Sequence, residues 1–125
     1  MKSFFETLIQ QKKINLSKKV QEELIRTALK IPEVDELGKK WSEKNYPNGF
    51  TSYGSLSRLH EQFSVFDQLK KKLDVEVKQY CKALKFSFPR GKLELSTLWI
   101  NLMPKNCFLF WQPTHLTSNT GLFPE

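Results

Sequence analysis

The stretch Leu95–Trp111, LSTLWINLMPKNCFLFW, decides how this chain is read. Just before and inside it, Leu93, Leu95, Thr97 and Trp99 alternate with Glu94, Ser96, Leu98 and Ile100. A period of two is the mark of a strand. One face is apolar throughout. The other begins polar and turns apolar, as a strand does on passing from an exposed margin into a core. Met103-Pro104-Lys105-Asn106 breaks the pattern, and Cys107–Trp111 is a second apolar run that reads as an antiparallel return. Little sequence follows to supply further sheet partners. An unpaired apolar edge is therefore expected, and such edges invite pairing with another chain. Self-association is the partner expectation that follows.

Upstream the period changes. Leu16, Val20, Leu24, Ala28 and Ile31 recur every three or four residues, with Ile25 and Leu29 widening the stripe. This predicts an amphipathic helix capped by Ser17 and ending before Pro32. Glu22 and Arg26 form a favourable i,i+4 pair on its outer face. Phe66, Leu69, Leu73, Val77, Tyr80 and Leu84 predict a second, stronger helix ending near Lys85. It opens on Ser64-Val65-Phe66-Asp67, which has the form of a capping box with Asp67 in the distal position.

The segments between are less regular. Phe4–Ile14 reads equally as a short strand or an extended entry segment. Residues 33–50 allow a helical turn and must break at Tyr46-Pro47-Asn48-Gly49. Trp41, Tyr46, Phe50 and Tyr53 surround that break, and large aromatics of this kind pin a loop onto a core or line a ligand. Phe50–Leu59 reads as a short strand followed by a Ser-rich loop.

Composition bounds the function. A chain of 125 residues is one domain with a real core, spanning residues 1–125. The net charge is +7, with 20 Lys and Arg against 13 acids. The basic runs Lys12-Lys13, Lys18-Lys19, Lys39-Lys40 and Lys70-Lys71-Lys72 are spread, and most sit beside acids. That is the pattern of solvated helix faces rather than of a nucleic-acid surface. A small basic module that binds nucleic acid or an acidic protein remains the alternative reading. Cys81 and Cys107 form no CxxC pair, which argues against cysteine-bound zinc. Cys81 falls among helical apolar positions as a buried thiol. No window approaches ~18 consecutive apolar residues, so no membrane-spanning helix is expected. A reducing, cytoplasmic setting is the corresponding expectation.

Two segments carry a resemblance. Trp41–Ser57 (WSEKNYPNGFTSYGSLS) and Leu98–Phe108 (LWINLMPKNCF) resemble a family of 2-oxoglutarate/Fe(II)-dependent oxygenases. In that family a helical region precedes a double-stranded β-helix. A strand with a Trp-hydrophobic-Asn core leads into a turn and a His-x-His-Pro segment. The resemblance implies an α+β fold: two main helices packed on a small, mostly antiparallel sheet, the opening part of a jelly roll. It also implies Fe(II) and 2-oxoglutarate as the family's cofactors. Two His and one carboxylate would hold the metal and leave open positions, and a basic residue would pair with the cosubstrate.

The sequence departs from the family where that site should begin. Without gaps, the first family His falls on Gln112 and the second on Thr114. A one-residue shift places His115 on the second, which makes His115 the sole candidate metal ligand. Residues 109–125 form a divergent tail. His60, the other histidine, reads as structural, and Asp67, Asp74 and Glu76 as a cap and a solvated helix face. The resulting expectation is a truncated or degenerate relative without catalysis of its own. No catalytic or cosubstrate-binding residue is assigned.

Overall fold

The computed structural model describes residues 6–85, 91 and 93–105. Among them are four helices and one two-stranded antiparallel sheet, an α+β arrangement. Helix α1 spans Lys18–Val34, α2 Glu36–Asn45, α3 Leu59–Gln62 and α4 Ser64–Ala83. Strand β1 is Phe50–Thr51 and β2 is Asn101–Leu102, paired in the register Phe50↔Leu102 and Thr51↔Asn101.

Helix α1 starts where its cap says it should. Ser17 Oγ accepts the Val20 amide at 3.2 Å, satisfying one of the helix's orphan N–H groups. Its end departs from expectation, because Pro32 lies inside the helix. Proline removes one amide donor, but the Asp35 amide still closes the last turn on the Ile31 carbonyl at 2.9 Å. Ile31 is fully buried there, which holds the turn in place. The stripe is also narrower than predicted. Val20, Leu24, Ala28 and Ile31 face the core, whereas Ile25 and Leu29 are both 62% exposed. On the outer face Arg26 pairs with Glu23 at 2.7 Å, not with Glu22.

Helix α2 is a full ten residues where the sequence allowed a turn. It escapes apolar periodicity because its inward positions are small: Gly38 and Ser42 are its buried residues. Asp35 caps it by accepting the Gly38 amide at 3.0 Å. The expected break follows at Tyr46–Gly49. The Gly49 amide bonds the Tyr46 carbonyl at 2.9 Å, and Asn48 takes φ 64° between them. Proline before a left-handed residue is the signature of a type II turn.

Helix α4 is not opened by the predicted capping box. Short α3 runs almost into it, so Phe63 occupies the cap position and no side chain caps the helix. The Phe63 carbonyl takes the Phe66 and Asp67 amides, and Asp67 instead pairs with Lys71 at 2.8 Å. The end near Lys85 is as expected; Lys85 adopts φ 59° and donates to the Lys82 carbonyl.

The core is Ile31, Phe50, Leu59, Val65 and Phe66, flanked by Leu98, Ile100 and Leu102 among others. At roughly 1.5–3 kcal/mol per fully buried apolar side chain, this cluster is what draws the helices and the 98–102 segment together. The predicted strand is thus real but short. Its inward face is the one that begins polar; Leu93, on the face read as apolar throughout, is 50% exposed.

Candidate functional site

The 98–102 segment is tied edge-on to β1 and the loop after it. The Leu98 amide donates to the Ser57 carbonyl at 2.8 Å and its carbonyl accepts from Leu59 at 3.0 Å. The Ser52 amide reaches the Ile100 carbonyl at 3.1 Å, while Ser52 Oγ accepts the Ile100 amide at 3.1 Å. Strand alternation turns the Trp99 backbone to the opposite edge. No hydrogen bond to it is formed among the described residues. The Trp99 ring meets Tyr53 edge-on at 4.9 Å.

Behind this segment lies a buried polar hub. Asp35 (5% exposed), Ser42 and Ser52 are the buried polar residues. One Asp35 oxygen takes the Gly38 amide and the other takes the Ser55 hydroxyl in a short hydrogen bond. Ser42 Oγ accepts the Thr51 amide at 3.1 Å. Every donor is neutral and belongs to the fold, so the hub joins α2 to β1 rather than presenting a reactive group. A Cβ on Gly38 would strike the Asp35 carboxylate and Ser55 Oγ, which explains the glycine inside α2. Of the four loop aromatics, Phe50 alone is core; Trp41 and Tyr53 are exposed.

Gln112, Thr114 and His115 lie outside the described residues, as does the apolar run Cys107–Trp111. His60 sits on α3 with Nδ1 buried and unpartnered. Asp74 anchors structure: it accepts from Lys70 at 2.6 Å and from the Leu95 amide at 2.7 Å. Lys70 also approaches Glu94 at 3.5 Å. The Asp74 hydrogen bond, with the nearby carboxylate charges, raises the Lys70 pKa above its usual 10.5. Among the described residues no three His, Cys, Asp or Glu side chains gather as a metal site. Cys81 is a buried free thiol.

One concavity was not foreseen. Residues before α1 run along α4: Tyr80 donates its hydroxyl to the Leu8 carbonyl at 2.6 Å, and Lys12 Nζ reaches Glu76 at 2.8 Å and Gln79 at 3.3 Å. Between that segment and α4 opens a cleft of about 460 Å³ lined by Lys12, Lys13, Lys71 and Lys72, by Asn15 and the one carboxylate of Glu76, and by Ile14 and Val75 as apolar wall. The two lysine runs are far apart in sequence, and reading each beside its local acids hid their convergence.

No family model matches this chain, and no curated protein matches it. No helix of the described residues is long and apolar enough to cross a membrane.

Proposed function

We propose that this chain is a divergent relative of the 2-oxoglutarate/Fe(II)-dependent oxygenases, lacking catalytic turnover by itself. The observation that carries the reading is the segment Leu98–Phe108, with its Trp-hydrophobic-Asn core before a proline turn. The late strand β2 fits it: it follows α1, α2, β1, α3 and α4 in the chain, and the inner face of its segment, Leu98, Ile100 and Leu102, packs on the core. The jelly-roll assignment of that strand belongs to the same proposal.

The donors within these 125 residues support the absence of turnover by them alone. A two-histidine facial site drawn from them would need both His60 and His115, and His60 sits on α3 with its Nδ1 buried. Anaerobic Fe(II) titration followed by a 2-oxoglutarate consumption assay tests this. The expected result is no iron-dependent consumption. Consumption that disappears in His115→Ala would overturn the inactive reading and make His115 a ligand.

The free edge at Trp99 fits self-association in the same scheme, aided by exposed Met103 and Leu93. Light scattering over a concentration series should show mass rising above 14.7 kDa. A constant monomer mass at high concentration removes this part.

A second reading, a small basic binding module, is favoured by the convergence of Lys12-Lys13 and Lys71-Lys72 on one cleft. Gel shifts against salt test its nucleic-acid form, since phosphate contacts make affinity fall with ionic strength.

A further inference from the structure

We infer that the cleft between residues 12–15 and α4 binds a small anion carrying adjacent phosphates. The inference rests on the basic-module reading and gives that module a site and a ligand class. Four lysines line the cleft, but they are not equivalent. Lys12 is held by Glu76 and Gln79. Lys71 is paired with Asp67 at 2.8 Å through a side chain that is 74% exposed. A solvated pair of this kind is weak and exchanges readily. Lys13 and Lys72 make no ion pair among the described residues, and so leave two uncompensated positive charges facing the same space. Like charges brought together repel, and an anion of charge two or more between them removes that cost.

Size and shape favour a small ligand over a long polyanion. The cleft's volume, about 460 Å³, falls within the roughly 300–1,000 Å³ of small-molecule sites. Glu76 also lines the cleft, where Lys12 offsets its charge; Asp67, outside the lining, pairs with Lys71 and would repel a strand tracking along the helix. Lys72, Val75, Glu76 and Gln79 share one face of α4 by their three- and four-residue spacing. The extended segment lies over that face, tethered at Leu8 by Tyr80 and at Lys12 by Glu76 and Gln79. The second wall is thereby fixed before any ligand arrives. Ile14 and Val75 add an apolar surface on which a ring can rest. Inorganic tripolyphosphate and a nucleoside triphosphate share the recognised chemistry and differ only in use of that surface.

Isothermal titration of the full chain with tripolyphosphate and, separately, ATP tests this at about 0.01 M ionic strength, where screening is weak. One-to-one saturable binding is expected from at least one of the two. The paired variant Lys13→Ala/Lys72→Ala should weaken it about tenfold or more, the sum of two modest charge contacts. Lys39→Ala/Lys40→Ala removes the same charge from the exposed surface of α2 and should leave affinity within about twofold. Circular dichroism of both variants guards against loss of fold. Equal affinity for the two ligands assigns recognition to the phosphates, and tighter ATP binding adds the apolar wall. No saturable binding of either, or equal losses in both paired variants, overturns the cleft. A gel shift that persists in that event leaves the broader basic-module reading standing.

Discussion

The two places where the chain is stitched to its helices are built from opposite materials. Around α2 and β1, Asp35, Ser42 and Ser52 are desolvated, and their partners are amides and a hydroxyl. On α4, Lys70 and Asp74 grip the Glu94–Leu95 segment with charges that are 14%, 21% and, at Glu94, 50% exposed. The first stitch is costly to open, because each removed acceptor strands a buried donor. The second is cheap to open, because water replaces what is lost. The strand segment 98–102 hangs between them. Its inner end is fixed by the costly stitch, and the approach to it by the cheap one.

Replacing Asp35 should break the buried stitch most severely. Asp35→Ala removes the α2 cap, strands the buried Gly38 amide and leaves the Ser55 hydroxyl only its long contact to the Ser52 carbonyl, a loss of about 2–4 kcal/mol in all. Asp35→Asn, which can still accept the Gly38 amide, should lose about half of that or less. Ser52→Ala takes a fully buried acceptor away from the part-buried Ile100 amide, for about 1–3 kcal/mol. Urea unfolding of the three variants measures these values. An Asp35→Ala midpoint equal to wild type would show that the hub is not structural.

The α4 stitch should respond to pH more than to mutation at neutrality. Its lysine has a raised pKa in the folded chain. Such a group contributes stability that is complete below its ordinary 10.5 and is lost as pH rises through the higher folded value. The stability difference between wild type and Lys70→Met should therefore be constant through neutral pH and shrink in the alkaline range above 10.5. A difference that stays unchanged across that range would mean that the ion pair contributes nothing. This effect is the smallest of the series, as expected for a pair that water can partly reach.

Legibility in the sequence followed the same division. Helices α1 and α4 were readable because each carries a long apolar stripe and a strong boundary: Ser17 at the start of α1, the turn near Lys85 at the end of α4. Helix α2 was hidden because Gly38 and Ser42, not large apolar residues, form its inner face. The Ser64 box failed because capping signals assume free chain before the helix, and α3 occupies that space. Ile25 and Leu29 looked like core by spacing alone, but they face outward, with no described element covering them. Of the candidate metal site, the sequence named His115 alone, with Gln112 and Thr114 standing where the family's histidines fall, and the described residues reach only its approach, Leu98–Leu102.

By itself, then, the sequence determined what depends on near neighbours: helix periods, the Ser17 cap, the Pro47-Asn48 turn and the breaks that bound the late strand. These rest on backbone conformation and on contacts three or four residues apart. Tertiary structure alone decided which face of the 93–102 segment turns inward, that Asp35 meets Ser55, and that two distant lysine runs share a cleft. Each of those depends on which distant surfaces bury one another, and no local pattern encodes that choice.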